Sequence, residues 1–296
     1  YGNASGGIIS ITTEEDLGLG TNTKQRIELG QFGLEKYQLK LGQVSGPLSY
    51  RIYTSHLKLE GYRDHSATEN SFAHGIFKWV SESNSEWRLS ISNLYSPKAD
   101  DPGALTKSQV ESNPKSSNSN NSLFDAGERV KNTNFGLTYK KKINSGKDFF
   151  LTINLNHRYF ENKLPFTSGG QVEFERLVPM FGIRSVINKK ILGQPSRFIV
   201  GADFAHQRDD RKRFNNNNGI RGDKTLDRLE EVSSFGPYLR VEWQFSPRLE
   251  LVSGIRHDLV YFDLTDAFLD DGDQSDSKML SEWSGTLGSI FHWNDK

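Results

Sequence analysis

FLTINLNHRY, residues 150–159, decides the fold class. Leu151, Ile153, Leu155 and Tyr159 fall on one side of an extended chain, with Thr152, Asn154, Asn156 and Arg158 on the other. Side chains that alternate with period two occupy opposite faces of a strand, whereas a helix would scatter them around its axis. WRLSISNLY at 87–95 repeats the scheme, setting Trp87, Leu89, Ile91 and Tyr95 against Arg88, Ser90 and Ser92. Similar alternation runs through 25–32, 36–44, 48–60, 71–80, 134–142, 180–190, 197–207, 235–244, 248–262 and 280–293. The expectation is an all-β chain of about twelve strands, each near the ten residues that a tilted membrane strand needs.

Alternation alone does not separate a soluble sandwich from a membrane barrel, because lipid can take the place of a core. The connections separate them. From the first long link onward, the sequence predicts long loops at 96–131, 161–176, 208–233 and 264–279, with tight turns at 144–147, 192–196 and 246–248 between them. Long loops on one side and short turns on the other describe an outer-membrane barrel. Trp79, Trp87, Tyr95, Trp283 and Trp293 are expected near strand ends, where aromatic girdles meet the membrane surfaces. Charges such as Arg26, Glu28, Arg88, Arg158, Arg184, Asp203, Arg240, Glu242, Arg256 and Asp258 belong to the opposite face. An Arg facing lipid at mid-depth would cost about 2–4 kcal/mol, which assigns these residues to the lumen.

Composition agrees with this reading. The chain of 296 residues has 37 basic and 37 acidic side chains, so no nucleic-acid footprint is indicated. Aromatic residues make up 11%, which suits strands. The absence of Cys removes disulfides, zinc–thiolate sites and thiol nucleophiles. The seven His residues, at 56, 65, 74, 157, 206, 257 and 292, show no paired ligand spacing, and neither HExxH nor GxSxG occurs. GLG at 18–20 lacks the third glycine of a dinucleotide site, and DDGDQSD at 270–276 departs from the spacing of a calcium-binding loop. The chain is therefore not read as an enzyme, and no catalytic or metal residue is assigned.

The opening stretch YGNASGGIISITT, residues 1–13, resembles the end of the plug domain in TonB-dependent outer-membrane receptors. There a Tyr-Gly turn and a Gly-Gly pair lead into a short apolar strand, and a barrel follows. GYRDHS at 61–66, ADDPGALT at 99–106, NNNNG at 215–219 and the strands SFGPYLRVEWQF and LELVSGIRHDLVYF carry the same resemblance. Together they are similar to the siderophore-receptor branch. The resemblance implies that residues 1–15 end a plug and that 16–296 form the N-terminal part of a transmembrane antiparallel β-barrel. About twelve of the family's twenty-two strands would then be present, in a fragment that would not insert stably alone. A ladder between 25–32 and 280–293 would instead mean closure into a smaller barrel.

The same resemblance implies uptake of ferric siderophores across the outer membrane of a Gram-negative bacterium. TonB would act through a segment preceding this chain. Outer-membrane lipid and lipopolysaccharide are the expected surroundings, and a ferric siderophore is the expected ligand, with no resident cofactor and no nucleic acid. Tyr62, Arg63 and His65 in the early loop, with Arg211, Arg213 and Phe214 in the predicted 208–233 loop, offer cations and aromatic faces to an anionic chelate. A receptor for cobalamin, another metal chelate or a glycan is the alternative, as is a passive porin.

Overall fold

The computed structural model describes residues 20–83 and 85–293, so the plug-like stretch at 1–15 lies outside the described residues. The chain forms twelve antiparallel strands: β1 (Gly20–Gly30), β2 (Leu34–Ser45), β3 (Leu48–Leu59), β4 (Thr68–Val80), β5 (Ser85–Asp100), β6 (Gly127–Asn144), β7 (Lys147–Lys163), β8 (Gln171–Ile191), β9 (Gln194–Asn217), β10 (Ile220–Ser246), β11 (Leu249–Asp266) and β12 (Asp276–Phe291). Two short helices, α1 (Lys107–Ser112) and α2 (Ser119–Leu123), sit in the β5–β6 connection. All twelve strands belong to one sheet in sequence order. Among the described residues β1 pairs only with β2 and β12 only with β11, so no ladder joins 25–32 to 280–293 and the wall is open.

Register places the alternating residues of 150–159 as expected. Leu155 lies opposite Phe135, which in turn lies opposite Ile91, while Asn154 lies opposite Gly136 and that opposite Ser90. Ile91, Phe135, Leu155, Phe181, Phe204, Phe235, Leu239 and Ile255 form an apolar band that stays exposed. Among the described residues the only buried hydrophobic side chains are Ala126 and Val186. A soluble sandwich would have folded such a band onto itself, so a surface of this kind calls for an apolar surrounding medium.

The connections do segregate by end. At the turn end, residues 46–47, 145–146, 192–193 and 247–248 are two-residue links. At the loop end lie 31–33, 60–67, 101–126, 164–170, 218–219 and 267–275. Two expectations need correction. The predicted long loop at 208–233 is strand: β9 and β10 run on, 24 and 27 residues long, and close through Asn218 and Gly219. Both residues have positive φ, 52° and 88°, the geometry of the Asn-Gly hairpin turn. The predicted loop 161–176 likewise shrinks to 164–170, since β7 and β8 pair from Lys163 and Gln171. Polar and charged residues on both faces of these strand segments remove the alternation, so the segments read as loop.

Trp79 and Trp87 face each other near the turn end, as expected of a girdle. Trp283 does not: it lies mid-strand in β12, stacked on His257 at 4.4 Å.

Candidate functional site

At the loop end the strands do not rise as separate hairpins; their connections interlock. Asn216 is fully buried at the centre of this lock. Its Nδ2 donates to the carbonyls of Phe124 (2.9 Å) and Leu164 (3.0 Å), and its Oδ1 accepts from Gly219 N (2.8 Å) and Gln171 Nε2 (3.2 Å). One amide thereby satisfies backbone groups from the 101–126 loop, the 164–170 loop and the 218–219 turn. Lys163 Nζ adds an ion pair to Asp125 at 2.5 Å.

The early-loop candidates fall within this rim. Arg63 points its guanidinium at three carbonyls of the 101–126 loop: Ser116 from Nε (2.9 Å), Gly103 from Nη1 (2.7 Å) and Pro102 from Nη2 (3.1 Å). His65 Nε2 lies 2.6 Å from the carbonyl of Ala126. A carbonyl only accepts, so that nitrogen carries the proton. Tyr62 packs edge-on against Phe32 at 5.3 Å and remains half exposed. Arg63 and His65 thus hold the loop in place, and Tyr62 is left on its surface.

The other three candidates lie in β9, not in a loop, and the strand divides them. Arg211 and Arg213 belong to the polar face, whereas Phe214 belongs to the opposite one, beneath the Arg221 guanidinium at 4.4 Å. The polar face of β7–β10 near the loop end gathers Arg158, Phe160, Phe174, Arg176, Asp209, Arg211 and Glu230. Register sets like charges opposite one another, Arg158 against Arg176 and Asp209 against Glu230, an arrangement that is unfavourable unless diagonal partners intervene. Opposite charges intervene: Arg176 grips Asp209, its direct partner across β8–β9, with both ends of its fork at 2.8 and 2.5 Å, and Arg211 lies diagonally 3.7 Å from Glu230.

Two cations are left over. Among the described residues Arg158 has no carboxylate partner; its guanidinium lies over Phe160 at 5.2 Å and Phe174 at 5.7 Å, and its Nε has no hydrogen-bond partner. Arg213 likewise has no described ion pair, and its Nε is buried without a partner. Arg158, with its aromatic seat, was legible as a charge on the polar face but not as a ligand candidate. The signal for it was available, because Phe160 falls two residues along on the same face.

Nearer the turn end the polar face also holds an ion-paired cluster. Arg256 joins Asp203 (2.9 Å) and Asp258 (2.8 Å) across three strands. It lies over Gly236, where a Cβ would collide with its Nη2. Among the described residues no cluster of three or more His, Cys, Asp or Glu could hold a metal ion.

Comparison with known proteins places this geometry. Residues 31–296 match the family described as TonB dependent receptor-like, beta-barrel. The unliganded ferric citrate transporter FecA superposes with a TM-score of 0.73 at 13% identity, over 93% of this chain and 42% of that one. The siderophore receptor PiuA from Acinetobacter baumannii gives 0.71 at 11% identity, over 94% and 48%. The open form of the ferric-catecholate import receptor Fiu from E. coli K12 gives 0.72 at 12% identity, over 96% and 54%. The chain spans about half the length of these structures or less, and at such identities the likeness is one of fold.

Proposed function

Because the chain belongs to the TonB-dependent receptor β-barrel family, we propose that its twelve strands form part of the wall of an outer-membrane receptor for ferric siderophores in a Gram-negative bacterium. In this reading the apolar band faces lipid, the polar face lines the lumen, and the loop end is extracellular. TonB would drive release of the cargo by displacing a plug. The iron chelate is cargo here, not a resident cofactor.

One observation carries the choice of an anionic chelate. At the loop end of the polar face, Arg158 lies over the paired rings of Phe160 and Phe174 without a described carboxylate partner, and Arg213 on the same face has none either. Guanidinium groups beside aromatic faces suit a planar, negatively charged ligand. Tyr62 and Arg211 flank this route, one on the rim and one on the wall. Arg63, His65 and Phe214 serve it indirectly, by shaping the rim.

The test is Arg158→Gln with Arg213→Gln in the complete receptor, read by equilibrium binding of ferric citrate and of a ferric tris-catecholate. Charge-assisted hydrogen bonds contribute about 1.5–3 kcal/mol, so affinity for the bound chelate should fall by about 10- to 100-fold. Unchanged affinity for every chelate that the parent receptor binds would overturn the assignment. Ion conductance without TonB would point instead to a passive pore.

A further inference from the structure

The turn end concentrates positive charge on two neighbouring hairpins. The links 145–146 and 192–193 belong to hairpins tied by a bond from Asn188 N to the Gly146 carbonyl at 2.7 Å. Lys141, Lys142 and Lys147 stand on the first hairpin, Lys189 and Lys190 on the second. Residues 139–150 contain one carboxylate, Asp148, and 186–197 contain none. Higher on the wall Arg176 and Arg256 are answered across the strands by Asp209 and Asp203. Here register leaves the cations unanswered. Lys141 lies between Ser85 and Phe149, Lys147 between Asn144 and Ile187, Lys189 opposite Ser196 and Lys190 opposite Pro195. Only Lys142 faces a carboxylate, that of Asp148. Like charges gathered on neighbouring strand ends repel one another, so the cluster is unfavourable to the wall by itself.

Leu192 adds a second unfavourable feature. It occupies the tip of the 192–193 turn at φ 50°, where Asn or Gly is the usual residue, and it is 86% exposed. Ile143, beside the other link, is also exposed. Apolar contacts are thus offered among the lysines. The charge wraps around the end of the wall. Trp87 and Tyr139, with ring centroids 4.3 Å apart, close the apolar band here, and Lys141 is the next residue of β6 on that side. Lys189 shares the side of Lys141, whereas Lys142 and Lys190 belong to the polar side, and all four are exposed. A molecule within the membrane would meet only the first pair, and cargo in the lumen only the second. A partner lying beneath the end of the wall meets both.

We propose that these two hairpins bind a carboxylate-bearing polymer of the periplasm, the stem peptides of peptidoglycan. The five lysines meet its carboxylates, and Leu192 packs against its alanine methyl groups. Exposed single cations hold a small anion weakly, and two-residue links give no arm to wrap one. On a polymer of repeated carboxylates the same cations act together, and their separate weak contacts add. The inference rests on the membrane placement in the proposed function, which sets the turn end in the periplasm, and not on the cargo.

The experiment sediments the complete receptor, in detergent at low salt, with purified peptidoglycan sacculi. About fivefold more of the parent should pellet than of the Lys141→Gln, Lys142→Gln, Lys189→Gln, Lys190→Gln variant, and amidation of the sacculus carboxylates should cost the parent a similar factor. Leu192→Gly, which relieves the turn, should pellet about twofold less. Equal pelleting of parent and quadruple variant, or of the parent on native and amidated sacculi, would overturn the proposal. Soluble peptidoglycan fragments should displace the parent at a lower carboxylate concentration than polyglutamate does. An equal or reversed order would point to an acidic protein segment and overturn the assignment. If the quadruple variant fails the heat-modifiability test of barrel folding, Lys189→Gln with Lys190→Gln decides, with about a twofold loss expected and no loss counting against the site. Ser145→Cys reports separately on the membrane placement, since an impermeant maleimide should label it, relative to the parent, only after the outer membrane is opened. Labelling in intact cells would refute the placement, whereas the expected labelling without pelleting would refute this proposal alone.

Discussion

The two ends of this wall are built by different means. At the turn end strands reverse through short links such as 46–47 and 145–146, and the ties beyond a hairpin are backbone bonds to the next strand, as from Val80 N to the Pro47 carbonyl and from Asn188 N to the Gly146 carbonyl. At the loop end Asn216 in β9 reaches 92 residues back to Phe124, and Arg63 reaches 53 residues on to Ser116. The first kind of structure is made by local backbone chemistry. The second is made by side chains that satisfy buried carbonyls on distant segments, and it gives a fixed rim where isolated hairpins would sway.

Breaking the rim should therefore cost far more than altering a turn. Asn216→Leu removes four hydrogen bonds from a fully buried position and strands the Phe124 and Leu164 carbonyls. At about 1–3 kcal/mol per unsatisfied buried group, the local loss should be about 3 kcal/mol or more. Hydrogen exchange should rise at 120–126 and 164–170 while the strands below stay protected. Arg63→Met keeps the stem but abandons three carbonyls, and about 2 kcal/mol of local stability should go with it. Limited proteolysis within 103–118 reads this out, and unchanged cleavage would count against the clamp.

Smaller effects sharpen the contrast. Gly219→Ala sets a Cβ at φ 88° and 3.0 Å from the Asp125 Cβ, so it should cost about 1 kcal/mol or slightly more in thermal stability. Gly193, at the turn end, has φ 81°, and a Cβ added there would have nothing within 4 Å. Because Asn tolerates this conformation, Gly193→Asn should change stability by only a few tenths of a kcal/mol.

The 267–275 loop gives the mildest case. Ser275, through its hydroxyl and its N–H, holds the Asp273 carboxyl below the ordinary aspartate range. A depressed carboxylate lends its support above the unfolded pKa and loses it as pH falls through the lower, folded one. Amide shifts of 273–275 should thus be flat near neutrality and move only under acid conditions, below about pH 4.

The same division explains what the sequence disclosed. The alternation in 87–95 and 150–159 placed strands and faces correctly, because a strand's periodicity is set residue by residue. The Asn218-Gly219 pair was a turn signal in plain view, yet the charged run RDDRKRF before it breaks the alternation of a half-buried strand. With polar side chains on both faces near the loop end, β9 and β10 carry no apolar side there, and pairing with neighbouring strands keeps them extended. Arg63 and His65 were legible as polar residues in an early loop. Their duty to specific carbonyls was not, since it depends on where residues 102, 103, 116 and 126 come to rest. Arg158 was visible, but its lack of a carboxylate partner follows from a register that sets Arg176 beside Asp209.

The neighbour-only order of the sheet has a consequence for biogenesis. Among the described residues each strand from β2 to β11 pairs with the one made just before it and the one made just after it. Loop-closure entropy is then small at every step, and the wall can grow in the order of synthesis, its free edge always the newest hairpin. The clamps from Arg63 and His65 need only the 101–126 loop, but the tie through Asn216 can form only once β9 has joined. Completion of the loop-end rim should therefore lag behind strand pairing, and an assembly stalled before β9 would present an intact sheet beneath 120–126 and 164–170 segments that still yield to protease.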